Sequence, residues 1–314
     1  MNPGPAQTNS ARLPFAGFVL LAAVTLVWGT NWPIMKIGLG ELPPFTFRAA
    51  MVPASGLLIL VLAFLAGQRL GAPRGAWPPL LVSALFNVTL WHGFSAFGIA
   101  AMESGRASVI AFTMPLWAAI LARLFLAEAI GGRRLLALAL GAGGVGALLQ
   151  PDLAHFAAAP QGPLWMSFAA IVWAAGTLWQ KRIGWAIPVL AHTGWQLFLG
   201  GLPLIAAAFV FEAADEANWS VGIVFLVVYS IVGPLGFCYW AWYKVVALFP
   251  THVAAIGTLL IPVLGVASGA AILGEPFGWP ELMALALVTG ALALVLTERP
   301  RTQIAADAAH RTTT

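Results

Sequence analysis

The chain has 314 residues, of which 61% are hydrophobic and only 8% are charged, and its mean hydropathy is +0.90. A soluble domain contains about 45–50% apolar and about 25% charged residues, so this composition excludes a water-soluble fold. Apolar stretches of about 18 residues or more recur along the chain, which is the length that a bilayer-spanning helix needs. The sequence therefore predicts an all-α polytopic membrane protein.

The charge pattern and the cysteine content exclude several other classes of function. The net charge is +4, but the 15 Lys and Arg residues are scattered in ones and twos, without the basic stripe that binds nucleic acid. Cys238 is the only cysteine, which excludes an internal disulfide, and the clustered ligands of a zinc site are missing. No Walker A motif is present for ATP. We therefore expect no nucleic-acid partner, no metal and no cofactor.

Breaks at Pro, Gly and charged residues divide the chain into ten predicted spans. They cover residues 15–35, 45–65, 77–99, 107–126, 135–149, 163–180, 188–211, 220–246, 252–273 and 280–297. The segments 1–14 and 298–314 are polar, and we predict that both tails are disordered.

The basic residues also predict an orientation. With ten spans both termini lie on one side of the membrane, and 12 of the 15 Lys and Arg residues fall on that side. The three exceptions are Lys36, Arg48 and Arg106. Because loops on the cytoplasmic side carry an excess of Lys and Arg, we predict that both termini are cytoplasmic.

An internal repeat relates the two halves of the chain at a constant offset of 147 residues. The matched pairs are Gly29 with Gly176, Thr30 with Thr177, Trp32 with Trp179, Pro115 with Pro262, and Glu128 with Glu275. The offset predicts two halves of five spans each, residues 15–149 and residues 163–297. Because five is an odd number, the second half enters the membrane from the opposite side. Many secondary transporters use such inverted repeats to build two alternately open states.

Three features carry a resemblance to a known family. They are the segment VWGTNWPIMKIGLGELPPFTFRAAM, the two Pro-x12-Glu repeats that end in LAE and LGEP, and the five-plus-five pattern. With them the chain resembles the drug/metabolite transporter superfamily, specifically its ten-span bacterial branch with two EamA-type halves, over about residues 15–297. The resemblance implies a multi-pass exporter in the bacterial inner (plasma) membrane. Among the members, aromatic amino-acid exporters of the YddG type are similar in aromatic content.

The phosphate-exchanging sugar translocators of the same superfamily look less similar. Their anionic substrates call for several basic residues inside the bundle. In this sequence only Arg48, and marginally Lys36 and Arg106, could bind an anion inside the bundle.

Polar and aromatic side chains within the spans are candidates for a substrate cavity, because polar groups at membrane depth face a cavity or a partner helix. The offset pairs His92 with Tyr239, which predicts that the two rings face each other across a central cavity. The predicted substrate-binding residues are Trp28, Asn31, Trp91, His92, Ser95, Trp173, Gln180 and Tyr239. The alternatives are a hydrogen bond from His92 to a neighbouring helix and, for each deep tryptophan, core packing or lipid contact.

Two proline residues and two glutamate residues follow the same offset. Pro115 and Pro262 each remove a backbone hydrogen bond from a span, and we predict that they act as hinges, with a static kink as the alternative. Glu128 and Glu275 follow at the ends of these spans, where we predict a structural role such as capping or ion pairing.

No Asp or Glu lies within a predicted span away from its ends, so a deep carboxylate that exchanges protons for cationic drugs is not expected.

The leading hypothesis is an exporter of small amphipathic metabolites, with amino acids first, working by alternating access within the lipid bilayer. A multidrug or organic-cation exporter is the alternative that an aromatic lining also suits. An intramembrane enzyme is less favoured, because neither His92 nor His192 has a carboxylate or another metal ligand near it in the sequence.

Overall fold

The computed structural model describes residues 15–126, 131–149, 160–249 and 251–296, and the regular elements within these ranges are all helical. The first half of the chain forms α1 (Phe15–Glu41), α2 (Pro44–Leu65), α3 (Trp77–Ala84), α4 (Trp91–Ala100), α5 (Ser104–Ala111), α6 (Met114–Leu126) and α7 (Gly132–Leu149). The second half forms α8 (Gln161–Lys181), α9 (Val189–Phe211), α10 (Val221–Ser230), α11 (Cys238–Leu248), α12 (Thr251–Leu273) and α13 (Trp279–Leu296). Segments wound as π-helix join α3 to α4 (Leu85–Leu90) and α10 to α11 (Ile231–Phe237). The predicted disordered tails lie outside the described residues.

Seven helical stretches among the described residues are long and apolar enough to cross a membrane. They are Phe15–Glu41, Pro44–Leu65, Arg74–Ala100, Ser104–Phe125, Gln161–Lys181, Val189–Phe211 and Val221–Trp242. Large apolar side chains project from them, and Phe209 is 84% exposed. Exposed apolar side chains are stable in contact with lipid. The helices also satisfy their own backbone hydrogen bonds, which the bilayer core requires. The chain is therefore a polytopic membrane protein, as its composition predicts.

The remaining three predicted spans also fall on helices. Residues 135–149 lie in α7, residues 252–273 coincide with α12, and residues 280–297 overlap α13. Within α12 and α13 the structure describes shorter apolar stretches, Leu260–Leu273 and Trp279–Leu294.

Most of the extensive helix contacts join one half of the chain to the other. The pairs are α2 with α9, α7 with α13, α1 with α12, and α4 with α8. In the central pair, α2 with α9, glycine allows the backbones to touch: a Cβ on Gly56 would lie 2.3 Å from the backbone nitrogen of Phe198. Small residues are the usual means by which membrane helices approach closely, since no hydrophobic effect drives them together in lipid.

The two predicted hinge prolines lie in different surroundings. Pro115 is the second residue of α6, directly after a break at Phe112 and Thr113 that separates α5 from α6. In the first turn of a helix a proline removes no intrahelical hydrogen bond. Pro262 lies inside the continuous helix α12, where its carbonyl oxygen accepts a hydrogen bond from the hydroxyl of Ser108 at 3.5 Å. The hinge role stays a prediction for both.

Glu275 caps a helix of the other half. Its carboxylate accepts hydrogen bonds from the backbone N–H groups of Ser104 at 2.7 Å and Gly105 at 2.9 Å, and from the Ser104 hydroxyl at 2.9 Å. These atoms form the N-terminus of α5, where a negative charge is stabilised by unpaired N–H groups and by the helix dipole. Glu275 thus has the structural role that its position predicts, while Glu128 lies outside the described residues.

Two further carboxylates join the halves at the same end of the bundle. Glu212 accepts hydrogen bonds from the backbone N–H groups of Phe45 and Thr46, both at 2.6 Å, and so caps α2. Glu281 accepts from Nε of Arg106 at 3.1 Å and from its Nη2 at 2.9 Å. Glu281 is only 2% exposed, so this carboxylate at the start of the predicted span 280–297 is buried.

Candidate functional site

A central cavity of about 480 Å³ lies between the two halves of the chain. Its wall is formed by α1, α2, α4, α6, α8, α9, α10, α11, α12 and both π-helical segments, together with Phe112 between α5 and α6. The volume falls within the range of about 300–1,000 Å³ that is typical of small-molecule sites.

All eight residues of the predicted substrate site line this cavity. They are Trp28, Asn31, Trp91, His92, Ser95, Trp173, Gln180 and Tyr239. The structure thus brings together residues from four separate spans of the sequence, two in each half. Their contact with a substrate stays a prediction.

One wall of the cavity is an aromatic cluster around Trp28. The Trp28 ring lies 6.0 Å from the Tyr239 ring in an edge-on arrangement and 5.8 Å from the Trp242 ring. Its indole N–H donates to the carbonyl oxygen of Pro234 at 2.9 Å. Pro234 belongs to a π-helical segment, so irregular backbone of the second half holds an aromatic side chain of the first half in place.

A second part of the wall is a pair of tryptophans supported by amide side chains. The rings of Trp91 and Trp173 lie 5.0 Å apart with an angle of 60° between them. Asn87 donates from Nδ2 to the carbonyl oxygen of Trp173 at 3.1 Å and accepts from Nε2 of Gln180 at 2.7 Å. Asn87 sits directly on Gly176, where a Cβ would lie 2.2 Å from its Oδ1. The glycine of the repeated motif therefore makes room for an amide that orders this wall.

The two π-helical segments occupy equivalent places in the repeat. Shifted by 147 residues, Leu85–Leu90 falls on residues 232–237, within the observed Ile231–Phe237. Each segment directly precedes a helix that carries a cavity ring, His92 in one half and Tyr239 in the other. Helices with π-type turns recur at functional sites because the extra residue in the turn displaces the side chains that follow.

Arg48 is a charged group in the cavity wall that the predicted site omits. The residue is 2% exposed, and its guanidinium donates from Nη2 to the Ser95 hydroxyl at 3.2 Å and from Nη1 to Sδ of Met35 at 3.4 Å. Its carbon Cζ lies 5.6 Å from the centre of the Phe47 ring. Among the described residues no carboxylate forms an ion pair with it. Its position in PFTFRAAM, four residues into α2, places a basic residue within a predicted span, which is a signal of function. Only the tertiary packing shows that it is buried.

Buried polar atoms without a partner concentrate at this cavity. Nε of Arg48, Oδ1 of Asn31 and both ring nitrogens of His92 have no hydrogen-bond partner among the described residues, and all three residues line the cavity. Leaving such a group unpaired costs about 1–3 kcal/mol, so these atoms are suited to contact a ligand or ordered water. His192, the other deep histidine, lies outside the cavity lining, with its ring 4.2 Å from that of Trp185.

Comparisons with known proteins agree with this architecture. The profile of the EamA-like transporter family matches residues 15–150 and again residues 160–297. The uncharacterized transporter YvbV of Bacillus subtilis is 27% identical over 289 residues, which cover 92% of this chain and 94% of that protein. A probable amino-acid metabolite efflux pump of Salmonella typhimurium is 27% identical over 288 residues, covering 88% and 93%. A solved crystal structure, 20% identical, shares the fold with a TM-score of 0.64 over 89% of this chain and 96% of that one. The chain belongs to the EamA-like transporter family of the drug/metabolite transporter superfamily.

Proposed function

We propose that this protein exports small amphipathic metabolites, with amino acids as the substrate class and hydrophobic or aromatic ones first among them. The observation that carries the proposal is the cavity of about 480 Å³ between the halves, whose wall combines aromatic faces with a few unpaired polar atoms. Amphipathic solutes require this combination, and repeat interfaces are where secondary transporters bind them. Similarity to a probable amino-acid metabolite efflux pump supports the substrate class.

The proposed architecture is ten membrane helices arranged as two inverted five-helix halves, residues 15–149 and residues 163–297. The equivalent π-helical segments support it. The helix contacts support it as well, because the contact of α1 with α12 has its counterpart in the contact of α8 with α5 and α6. The pairs α2 with α9 and α7 with α13 are each formed by helices that the offset relates, as expected on a pseudo-twofold axis.

Alternating access follows from this arrangement if the halves rock about the tightly packed pair α2 and α9. The carboxylate caps of Glu212 and Glu275 join the halves at one end of the bundle and would have to separate when that end opens. Pro115 and Pro262 are the proposed hinges. The excess of basic residues on the side of the termini supports an inner-membrane protein with both termini in the cytoplasm.

The two alternative functions are less well supported by the cavity. An exporter of organic cations is disfavoured because the described lining residues include Arg48 and no Asp or Glu. An enzyme is disfavoured because the described residues contain no group of three His, Cys, Asp or Glu suited to a metal, and His92 has no partner that would make it a base.

Counterflow in proteoliposomes tests the proposal. Liposomes with purified protein are loaded with one unlabelled amino acid and diluted into its radiolabelled form, and a parallel set uses ethidium as an organic cation. We expect transient accumulation of label for hydrophobic or aromatic amino acids, several-fold above protein-free liposomes. Accumulation of ethidium without accumulation of any amino acid would support the cation exporter instead.

A further inference from the structure

We propose that Arg48 binds the carboxylate of the transported solute, so that the cavity selects carboxylates and zwitterions against amines, amides and esters. This inference rests on the proposed function in one respect, namely that a solute occupies the central cavity.

The burial of Arg48 supports this assignment. A charged side chain inside a membrane protein is costly unless an opposite charge or several hydrogen bonds compensate it. Arg106, 9% exposed, has the carboxylate of Glu281 at 2.9 Å. Lys36 donates to two backbone carbonyl oxygens, at 2.9 and 2.8 Å. Arg48 is the most buried of these three cations, yet its hydrogen-bond partners among the described residues are one hydroxyl and one thioether.

The guanidinium retains donors that suit a carboxylate. Arginine carries five N–H groups in a planar fork that matches the two oxygens of a carboxylate. The contacts with Ser95 and Met35 use one donor on each terminal nitrogen and fix the plane of the group. The Nε–H is buried without a partner among the described residues. The guanidinium therefore keeps N–H donors in a fixed orientation at the cavity wall.

The remainder of the cavity fits the other parts of an amino acid. Oδ1 of Asn31 is a buried acceptor without a described donor, which suits an ammonium group. Trp28 and Tyr239 offer aromatic faces for an apolar side chain. A single arginine matches the single negative charge of a carboxylate, whereas a phosphate ester with about two charges calls for further cations that the described lining does not contain.

Matched acids and amides test the assignment directly. The dissociation constants of the purified full-length protein are measured by calorimetric titration for L-phenylalanine, L-leucine and L-tryptophan and for the three corresponding primary amides. Each amide keeps the side chain and the ammonium group but lacks the carboxylate. We expect the acids to bind about tenfold more tightly or better, which is the range for a hydrogen bond to a charged group. Glucose 6-phosphate, as a phosphate ester, should not bind measurably.

Variants at Arg48 and at a control position complete the test. Arg48→Gln should weaken acid binding about tenfold to a hundredfold while amide binding stays within about twofold. Arg48→Lys should retain part of the preference, because it keeps the charge but loses the planar fork. The control His192→Gln changes another buried residue, 7% exposed, that lies outside the cavity lining. It should keep the full preference for acids.

Three results would overturn the assignment: amides that bind as tightly as acids, absence of binding by all three acids, or an acid preference that survives in Arg48→Gln. If the Arg48 variants do not fold, the comparison of acids with amides on the unmodified protein decides alone. Acids that bind with the expected preference but show no counterflow would contradict the transport proposal and leave the carboxylate assignment standing.

Discussion

The carboxylate of Glu275 accepts hydrogen bonds from both the backbone N–H and the hydroxyl of Ser104, so a residue of the second half completes a helix of the first. Glu275→Gln should lower the stability by about 1–2 kcal/mol, because an amide loses the charge and one of two acceptor atoms at the cap. Unfolding midpoints in detergent measure this. The matched control is Glu216→Gln at an exposed residue of a 3₁₀ turn, Ala214–Glu216. Equal effects of both changes would contradict the capping role.

The close contact between Gly176 and Asn87 gives a second prediction. Gly176→Ala should destabilise the protein by about 1–3 kcal/mol, because the new methyl group would displace the amide that supports Trp173. Gly146→Ala is the matched control in α7, since a Cβ there meets nothing within 4 Å. The control should be neutral or stabilising by about 0.5–1 kcal/mol, since alanine favours helix. The thermal unfolding midpoints of both variants measure these changes in stability. A destabilised Gly146→Ala variant would contradict the explanation.

The aromatic lining predicts a loss of transport when one of its rings is removed. Trp91→Ala and Trp173→Ala should each reduce counterflow about fivefold at limiting substrate, equivalent to about 1 kcal/mol of lost interaction. Rates are normalised to the amount of protein in the membrane. Trp279→Ala serves as control, because Trp279 is 74% exposed and does not line the cavity. If the control loses as much transport as the cavity variants, these rings are packing residues.

The distribution of carboxylates predicts that an imposed proton gradient is not required. Glu281 is buried but paired with Arg106, and the cavity lining among the described residues contains no carboxylate. A substrate gradient alone should therefore drive flux in proteoliposomes, and a protonophore should leave the initial rate within about twofold. Flux that strictly requires a pH gradient and disappears in Glu281→Gln would show that this carboxylate carries the coupled proton.

Much of the helical architecture and the composition of the cavity follow from the sequence for physical reasons. Long apolar stretches must be helical in lipid, so hydropathy locates them. The 147-residue offset relates residues that are far apart in the sequence, such as His92 and Tyr239, which local patterns cannot do. Both residues line one cavity in the structure.

Other features could not be predicted because they depend on packing between distant segments. A π-helical turn holds one residue more than an α-helical turn because its hydrogen bonds reach one residue further, and the composition of Leu85–Leu90 gives no sign of it. The burial of Arg48 depends on contacts from α1 and α4. The partner of Glu275 lies 171 residues away in the sequence.

Alternating access is tested most directly by the accessibility of the cavity from each side of the membrane. In a Cys238→Ala background, Ser230→Cys places a thiol on the cavity wall, and Ser55→Cys places one at a buried serine outside it. Both serine hydroxyls donate to the carbonyl oxygen four residues earlier, so the substitutions are matched. The rate of labelling by a membrane-impermeant maleimide is measured from either side, with and without a transported amino acid. We expect the Ser230→Cys variant to be labelled from both sides and to be protected by substrate, whereas the Ser55→Cys variant should be labelled from neither side. Labelling of Ser230→Cys from one side only, unchanged by substrate, would contradict alternating access through this cavity.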